Sequence, residues 1–131
     1  MENNVDIIVN CFNGEKYLSE ALDSILFQDY SLWRIIFVDN CSTDDSKNIA
    51  KNFEGNLIYH KTENKISLGA ARKLAVSLTE SDYIAFLDCD DSWLPNKLKE
   101  QVEIMQKKKL ALTFSGINYI NKNGNYIGKY S

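Results

Sequence analysis

Three carboxylates stand within four residues at Asp88-Cys89-Asp90-Asp91, directly after the apolar run Tyr83-Ile84-Ala85-Phe86-Leu87. Acids this crowded are pushed toward the protonated form unless a cation or hydrogen-bond donors neutralise them. Carboxylate oxygens suit magnesium or manganese, and magnesium commonly takes one or two protein carboxylates, with waters and substrate phosphates completing its shell. Asp88 and Asp90 are therefore candidate ligands of a divalent metal that holds a diphosphate. The competing reading is a solvated acidic turn, in which an Asp or Ser92 caps a helix starting near Pro95. A calcium loop is excluded, because an EF-hand counted from Asp88 needs Gly where Trp93 stands and Glu where Lys99 stands.

Other chemistry-bearing residues are scattered. Asp39 follows the apolar run Ile35-Ile36-Phe37-Val38 and can accept the imide hydrogen of a uracil ring or a ribose hydroxyl, or else shape a turn. Arg72 lies in the first turns of a helix with Gly69 near its start, where a guanidinium and free amides can meet a phosphate or a base; the alternative is a surface arginine. Cys11, Cys41, Cys89 and His60 all follow strand ends, yet none has the short spacing of a zinc site. Three cysteines far apart and odd in number read as free thiols in a reducing compartment.

The elements that must position these residues follow from periodicity. Val5 to Val9, Ile35 to Val38, Leu57 to Tyr59 and Tyr83 to Leu87 are short apolar runs that read as strands. Between them lie helical patterns. Tyr17, Leu18, Ala21, Leu22, Ile25 and Leu26 share one face, with Gln28 on the other face and Asn13 as candidate cap. Ser42 or Thr43 is placed to cap a second helix whose first turn carries Asp44 and Asp45. A third helix starts near Leu68, and a fourth runs from Pro95 to about Lys109. Ala111 to Phe114 and Gly116 to Ile120 read as further strand, and Asn123-Gly124 as a tight turn before Tyr126-Ile127. Strands alternating with helices imply right-handed crossovers and a doubly wound, mostly parallel α/β sheet. In such a sheet ligands sit beyond the carboxyl ends of the strands, so Asn10 to Asn13, Asp39, His60-Lys61 and Asp88 to Asp91 should share one rim.

At 131 residues the chain reads as a single domain or a piece of one. A net charge of −3 with mixed signs argues against nucleic acid as the main partner. Lys107-Lys108-Lys109 suits a helix C-terminus. No apolar stretch approaches a membrane span and Met1-Glu2-Asn3-Asn4 is not a signal peptide, so a cytoplasmic location is expected.

Four stretches in order resemble a family 2 glycosyltransferase of the A-type, Rossmann-like fold. Val9-Asn10-Cys11-Phe12-Asn13-Gly14-Glu15-Lys16-Tyr17-Leu18 is similar to the family's opening strand-turn-helix, with Asn10 and Phe12 where Pro and Tyr usually stand. Val38-Asp39-Asn40-Cys41-Ser42-Thr43-Asp44 resembles its Asp-Asp-Gly-Ser-Thr-Asp motif, and Gly69-Ala70-Ala71-Arg72 its Gly-Ala-Arg-Asn segment, with Lys73 in place of the Asn. Phe86-Leu87-Asp88-Cys89-Asp90-Asp91 matches its metal-binding Asp-X-Asp motif.

The resemblance implies transfer of a sugar from a nucleoside diphosphate sugar, UDP-linked by expectation, to a carbohydrate or lipid-linked acceptor, with inversion and with manganese or magnesium as cofactor. It implies that Asp39 reads the base, that Asn10, Cys11, Phe12 and Asn13 form the wall beside it, and that Arg72 lies near base or diphosphate. Asp88 would touch the ribose or the metal's water shell, and Asp90 the metal itself. The family's acceptor site and general base are expected beyond Ser131. Two rivals place their acids differently: an enzyme, a haloacid dehalogenase-type phosphatase, opens its domain with Asp-X-Asp, and a module of another class, a phosphate-switched receiver, carries an acid pair after its first strand. A nucleotide-binding module without catalysis is the third alternative.

Overall fold

A computed structural model describes residues 3–130. Four strands, β1 (Val5–Cys11), β2 (Trp33–Asp39), β3 (Leu57–Lys61) and β4 (Tyr83–Asp88), form one parallel sheet in the order β3-β2-β1-β4. They alternate with α1 (Glu15–Leu26), α2 (Ser46–Lys51), α3 (Leu68–Ser77) and α4 (Lys97–Lys108). The expected α/β architecture is therefore present. The chain divides into two compact units between Lys99 and Glu100.

In the first unit, Ile8, Ile36 and Val38 line one sheet face and pack with Ala71 and Ala75 of α3, joined by Ile66, Leu74 and Leu78. Alternation along a strand sends Ile7, Val9, Ile35 and Phe37 to the opposite face, and these are buried too. Burial of β1 and β2 on both faces explains their unalternating runs in the sequence. On α1 the spacing of Leu18, Ala21, Leu22 and Ile25 produces the buried stripe.

Two charged or polar residues inside this unit do work that periodicity does not show. Asp6 interrupts β1 yet is fully buried; it faces Arg34 across the strand pair, whose Nε and Nη2 donate to it at 3.0 and 2.9 Å. The Glu80 and Ser81 backbone N–H groups and the Ser81 hydroxyl donate to the same carboxylate, tying the entry of β4 to β1. Gln28 is buried rather than on the polar face of α1. Its amide donates to the Leu94 carbonyl at 2.8 Å and its carbonyl accepts the Leu98 N–H at 3.0 Å, holding the start of α4.

The second unit contains a hairpin of β5 (Ile117–Ile120) and β6 (Tyr126–Tyr130), antiparallel. Its turn is the expected one, with Gly124 at φ +80° and the Asn121 carbonyl oxygen of the side chain accepting the Asn123 and Asn125 N–H groups. Ala111 to Phe114, expected as strand, is irregular. An isolated apolar run makes a strand only where a neighbour offers a ladder. Among the described residues no helix is long and apolar enough to cross a membrane.

Candidate functional site: the carboxyl rim of the sheet

The strand register places the candidate residues along one edge. Asn10 lies opposite both Val38 and Asp88, and Cys11 opposite Asp39, so the ends of β1, β2 and β4 form a continuous row. The turns leaving β1 and β2 interlock. The Asn13 N–H donates to the Ser42 hydroxyl at 3.0 Å, and the Asn13 side-chain oxygen accepts the Thr43 N–H at 2.8 Å. Asp44 accepts the Glu15 N–H at the start of α1, while Glu15 accepts the Asp45 N–H at the start of α2.

This corrects the expected caps. Asn13 does not cap α1, and neither Ser42 nor Thr43 caps α2; Gly14 and Asp45 hold those positions without a side-chain cap. Parallel neighbours deliver their exit turns side by side, so each turn satisfies the other's free donors. Burial works to raise the Asp44 pKa, but the Ser46 hydroxyl and the N–H groups of Glu15 and Ser46 overcome it and hold it low.

Gly14 packs against two thiols. A Cβ there would stand 2.8 Å from the Cys11 Sγ and 2.9 Å from the Cys89 Sγ, although its φ of −99° suits any residue. Gly14→Ala is expected to cost about 1–3 kcal/mol by overpacking, read from urea unfolding, with part recovered in Gly14→Ala/Cys89→Ala. A loss in the single variant below roughly 0.5 kcal/mol would show that the thiols swing aside.

Asp39 reaches the rim with its side chain turned inward. It is fully buried, and its oxygens accept the Ser42 N–H at 2.8 Å and the Tyr59 hydroxyl. Tyr59 stacks on Phe37, 5.9 Å between ring centres, which aims its hydroxyl at Asp39. Burial first, and then that hydrogen bond to a carboxylate, push the Tyr59 pKa well up.

Asn40 explains one departure from the family pattern. Its side-chain NH2 donates to the Ile66 carbonyl at 2.7 Å and its oxygen accepts the Ile66 N–H at 2.9 Å, so it fastens the loop that leads into α3. A carboxylate cannot donate. Asn40→Asp should therefore cost about 1–3 kcal/mol, visible in urea unfolding and as faster amide exchange at Ile66; unchanged exchange there would contradict the clamp. Cys41 stands at φ 62°, where the family's Gly is at home. Its thiol bonds the Thr62 carbonyl at 3.2 Å.

The acids beyond β4 are open. Asp88 and Asp90 are exposed, and Arg72 from α3 donates to Asp88 at 3.0 Å across the rim. With both side chains about half exposed this pair adds little stability. Its consequence is positional, since α3 and β4 now present one cation and several anions together. The Asp91 pKa is raised, by burial first and then by the charges of Asp90 and Asp88.

Phe12 is exposed, with the Lys65 ammonium 3.5 Å from its ring centre, an arrangement the sequence did not signal because Lys65 comes from a distant loop. Asn10 carries a buried side-chain oxygen with no hydrogen-bond partner among the described residues. His60 lies in β3 opposite Val38. Among the described residues no group of three or more His, Cys, Asp or Glu side chains is arranged to hold a metal. Two recesses of about 400 Å³ lie elsewhere, one at the amino end of the sheet around Arg34 and Asp82, the other beside α1 and α2.

The family model for glycosyl transferase family 2 matches residues 6–131. The chain belongs to that family. As in other proteins of the family compared with it, the similarity runs through most of this chain. It is 33% identical over 128 residues to WfgD of Escherichia coli, a UDP-Glc:alpha-D-GlcNAc-diphosphoundecaprenol beta-1,3-glucosyltransferase, covering 96% of this chain and 50% of that one. TuaG of Bacillus subtilis, a glycosyltransferase ascribed to teichuronic acid biosynthesis, is 30% identical, covering 96% and 51%. The chain thus spans about half the length of these relatives. The crystal structure of S. aureus TarS in complex with UDP-GlcNAc superposes with a TM-score of 0.76 at 28% identity, over 79% of this chain and 31% of that one. The mannosyltransferase PcManGT of Pyrobaculum calidifontis, solved with GDP-Man and Mn2+, shares the fold at TM-score 0.75 and 21% identity, over 80% and 33%. In this glycosyl transferase family 2 chain the acids follow β4 at the sheet edge, and β1 ends in Asn10 and Cys11; neither the phosphatase nor the receiver arrangement is present.

Proposed function

We propose that this chain is the donor-binding portion of an inverting, metal-dependent glycosyltransferase that takes its sugar from a nucleoside diphosphate sugar, UDP-linked, and serves a carbohydrate or lipid-linked acceptor. The observation that carries the reading is the row at the carboxyl rim, where Asn10 meets Asp88 and Cys11 meets Asp39 in register. Support comes from WfgD, named for a UDP-glucose donor and a diphosphoundecaprenol-linked acceptor, and from TarS crystallised with UDP and with UDP-GlcNAc.

The residues present fit a hard divalent cation, because Asp88 and Asp90 are exposed carboxylates and their charges, after burial, add to the raised Asp91 pKa. Asp90, assisted by Asp88, would hold manganese or magnesium, whose charge offsets the negative charge that grows on a departing diphosphate. Arg72, already beside Asp88, adds a guanidinium for phosphate oxygens. Phe12 offers a ring face to a base, with Lys65 behind it. Cys11 and Asn13 shape that wall through the turn after β1.

For the imide hydrogen of uracil two acceptors compete. Asp39 takes it if the Tyr59 hydroxyl gives way; the Asn10 oxygen, buried and without a partner among the described residues, takes it if the rim opens to expose that oxygen. The base that receives the acceptor's proton we assign to the part of the family's length that this chain does not span. A cytoplasmic setting goes with the free cysteines.

The test is a nucleotide panel with manganese, followed by NMR shifts of the rim amides. UDP should bind ahead of GDP, CDP and ADP, and Asn10→Ala and Asp39→Ala should each weaken it, the larger loss marking the imide acceptor. Binding of no nucleoside diphosphate, or phosphate release from a simple aryl phosphate, would overturn the reading. Nucleotide binding without sugar transfer or donor hydrolysis would support a binding module instead.

A further inference from the structure

Cys11 closes β1 and Cys89 is the first residue beyond β4. These strands are parallel neighbours with Asn10 opposite Asp88, so one further residue along each brings the two cysteines side by side. Paired strands run about 4.8 Å apart, inside the roughly 4.4–6.8 Å between Cα atoms that a disulfide spans. The side chains converge as the backbones do. Their sulfurs lie 2.8 and 2.9 Å from the single point a Gly14 Cβ would occupy. Both are unbridged, Cys11 buried and Cys89 partly exposed. Cys41 is engaged separately with Thr62. A carboxylate site for a hard cation has no use for two thiols, so the pair is unexplained by the donor reading.

We propose that Cys11 and Cys89 are a reversible dithiol-disulfide site set beneath the donor rim. The more accessible Cys89 sulfur takes an oxygen from a peroxide, whose O–O bond breaks, to give a sulfenic acid and water; the Cys11 thiol then attacks that sulfur, forming the S–S bond and releasing a second water. The two electrons pass from the thiols to the peroxide oxygens, and a thiol reductant returns both cysteines by exchange. Cys89 sits between Asp88 and Asp90. Contracting a thiol contact to a bond of about 2.05 Å draws the segment carrying both acids toward β1. Oxidation therefore misplaces the acids and weakens donor binding, a regulatory consequence that rests on the donor-site reading above.

The whole chain is treated with hydrogen peroxide, free thiols are alkylated, and peptides are mapped by mass before and after dithiothreitol. In parallel, UDP affinity is measured with manganese. The expected result is a Cys11–Cys89 linked peptide two hydrogens lighter than its parts and a loss of affinity of at least roughly tenfold, both reversed by reductant. Cys89→Ser should yield no link. Alkylation of both cysteines after peroxide, a link through Cys41, or oxidation only to sulfinic acid would overturn the site. A clean link with unchanged UDP affinity would overturn its regulatory role alone. Failure of the donor reading is distinct, since it shows as no UDP binding by the reduced chain before any oxidant is added.

Discussion

Asp6→Asn is expected to lower stability by roughly 3–5 kcal/mol, the penalty for removing one partner of an enclosed, multiply bonded charge. The carboxylate has no exposed surface and serves two N–H groups, one hydroxyl and the fork of Arg34. An amide of the same shape presents two hydrogens to a set composed entirely of donors. Arg34 stays partly exposed, at 24%, and so recovers some hydration, which keeps the loss from being larger. Domains of this size are stable by about 5–15 kcal/mol, so urea unfolding will show a large fall in midpoint. A loss under roughly 1 kcal/mol would mean that the network is neutral.

The same carboxylate gives stability a pH dependence. Burial acts to raise its pKa, but the bonds from Arg34, Glu80 and Ser81 dominate and bring it from 3.8 down to about 2. A group bound more weakly by protons when folded stabilises above its unfolded value and stops doing so as pH falls through its folded value. The contribution is thus complete at neutral pH, declines below 3.8 and is gone beneath about 2. Its full size is roughly 2 kcal/mol. In Asp6→Asn this decline should disappear from the pH profile.

Asp90→Ala is expected to reduce manganese-supported UDP affinity by roughly 100-fold, near 3 kcal/mol, while leaving the unfolding midpoint almost unchanged. The two halves of this expectation come from one observation. Asp90 is exposed and its carboxylate raises the Asp91 pKa, so its removal relieves repulsion in the fold even as it removes a ligand from the rim. Asp88→Ala should weaken binding less, and it also frees Arg72. Equal affinity for Asp90→Ala and the native chain would exclude Asp90 as a metal ligand.

The two central strands, β1 and β2, were legible because they are buried on both faces, and such runs stand out as continuous apolar segments. So was the rim, since parallel strands with helical crossovers send every exit turn to the same side. What the sequence concealed depends on partners distant along the chain. Asp6 looks like a flaw in a strand until Arg34 is seen opposite it. Asn13, Ser42 and Asp44 look like caps of their own helices, but interlocked turns exchange their donors and acceptors. Gln28 looks solvated, yet the start of α4 folds over it. Asp39 looks open, but a tyrosine from β3 covers it. Ala111 to Phe114 has the composition of a strand without a partner to make it one.

Calorimetric titration of UDP into the reduced native chain, with and without manganese, tests most directly whether the acids beyond β4 serve a nucleotide's phosphates. The account predicts measurable binding with the ion and a loss of at least roughly tenfold when it is chelated. Equal affinity in both conditions, or none in either, would contradict it.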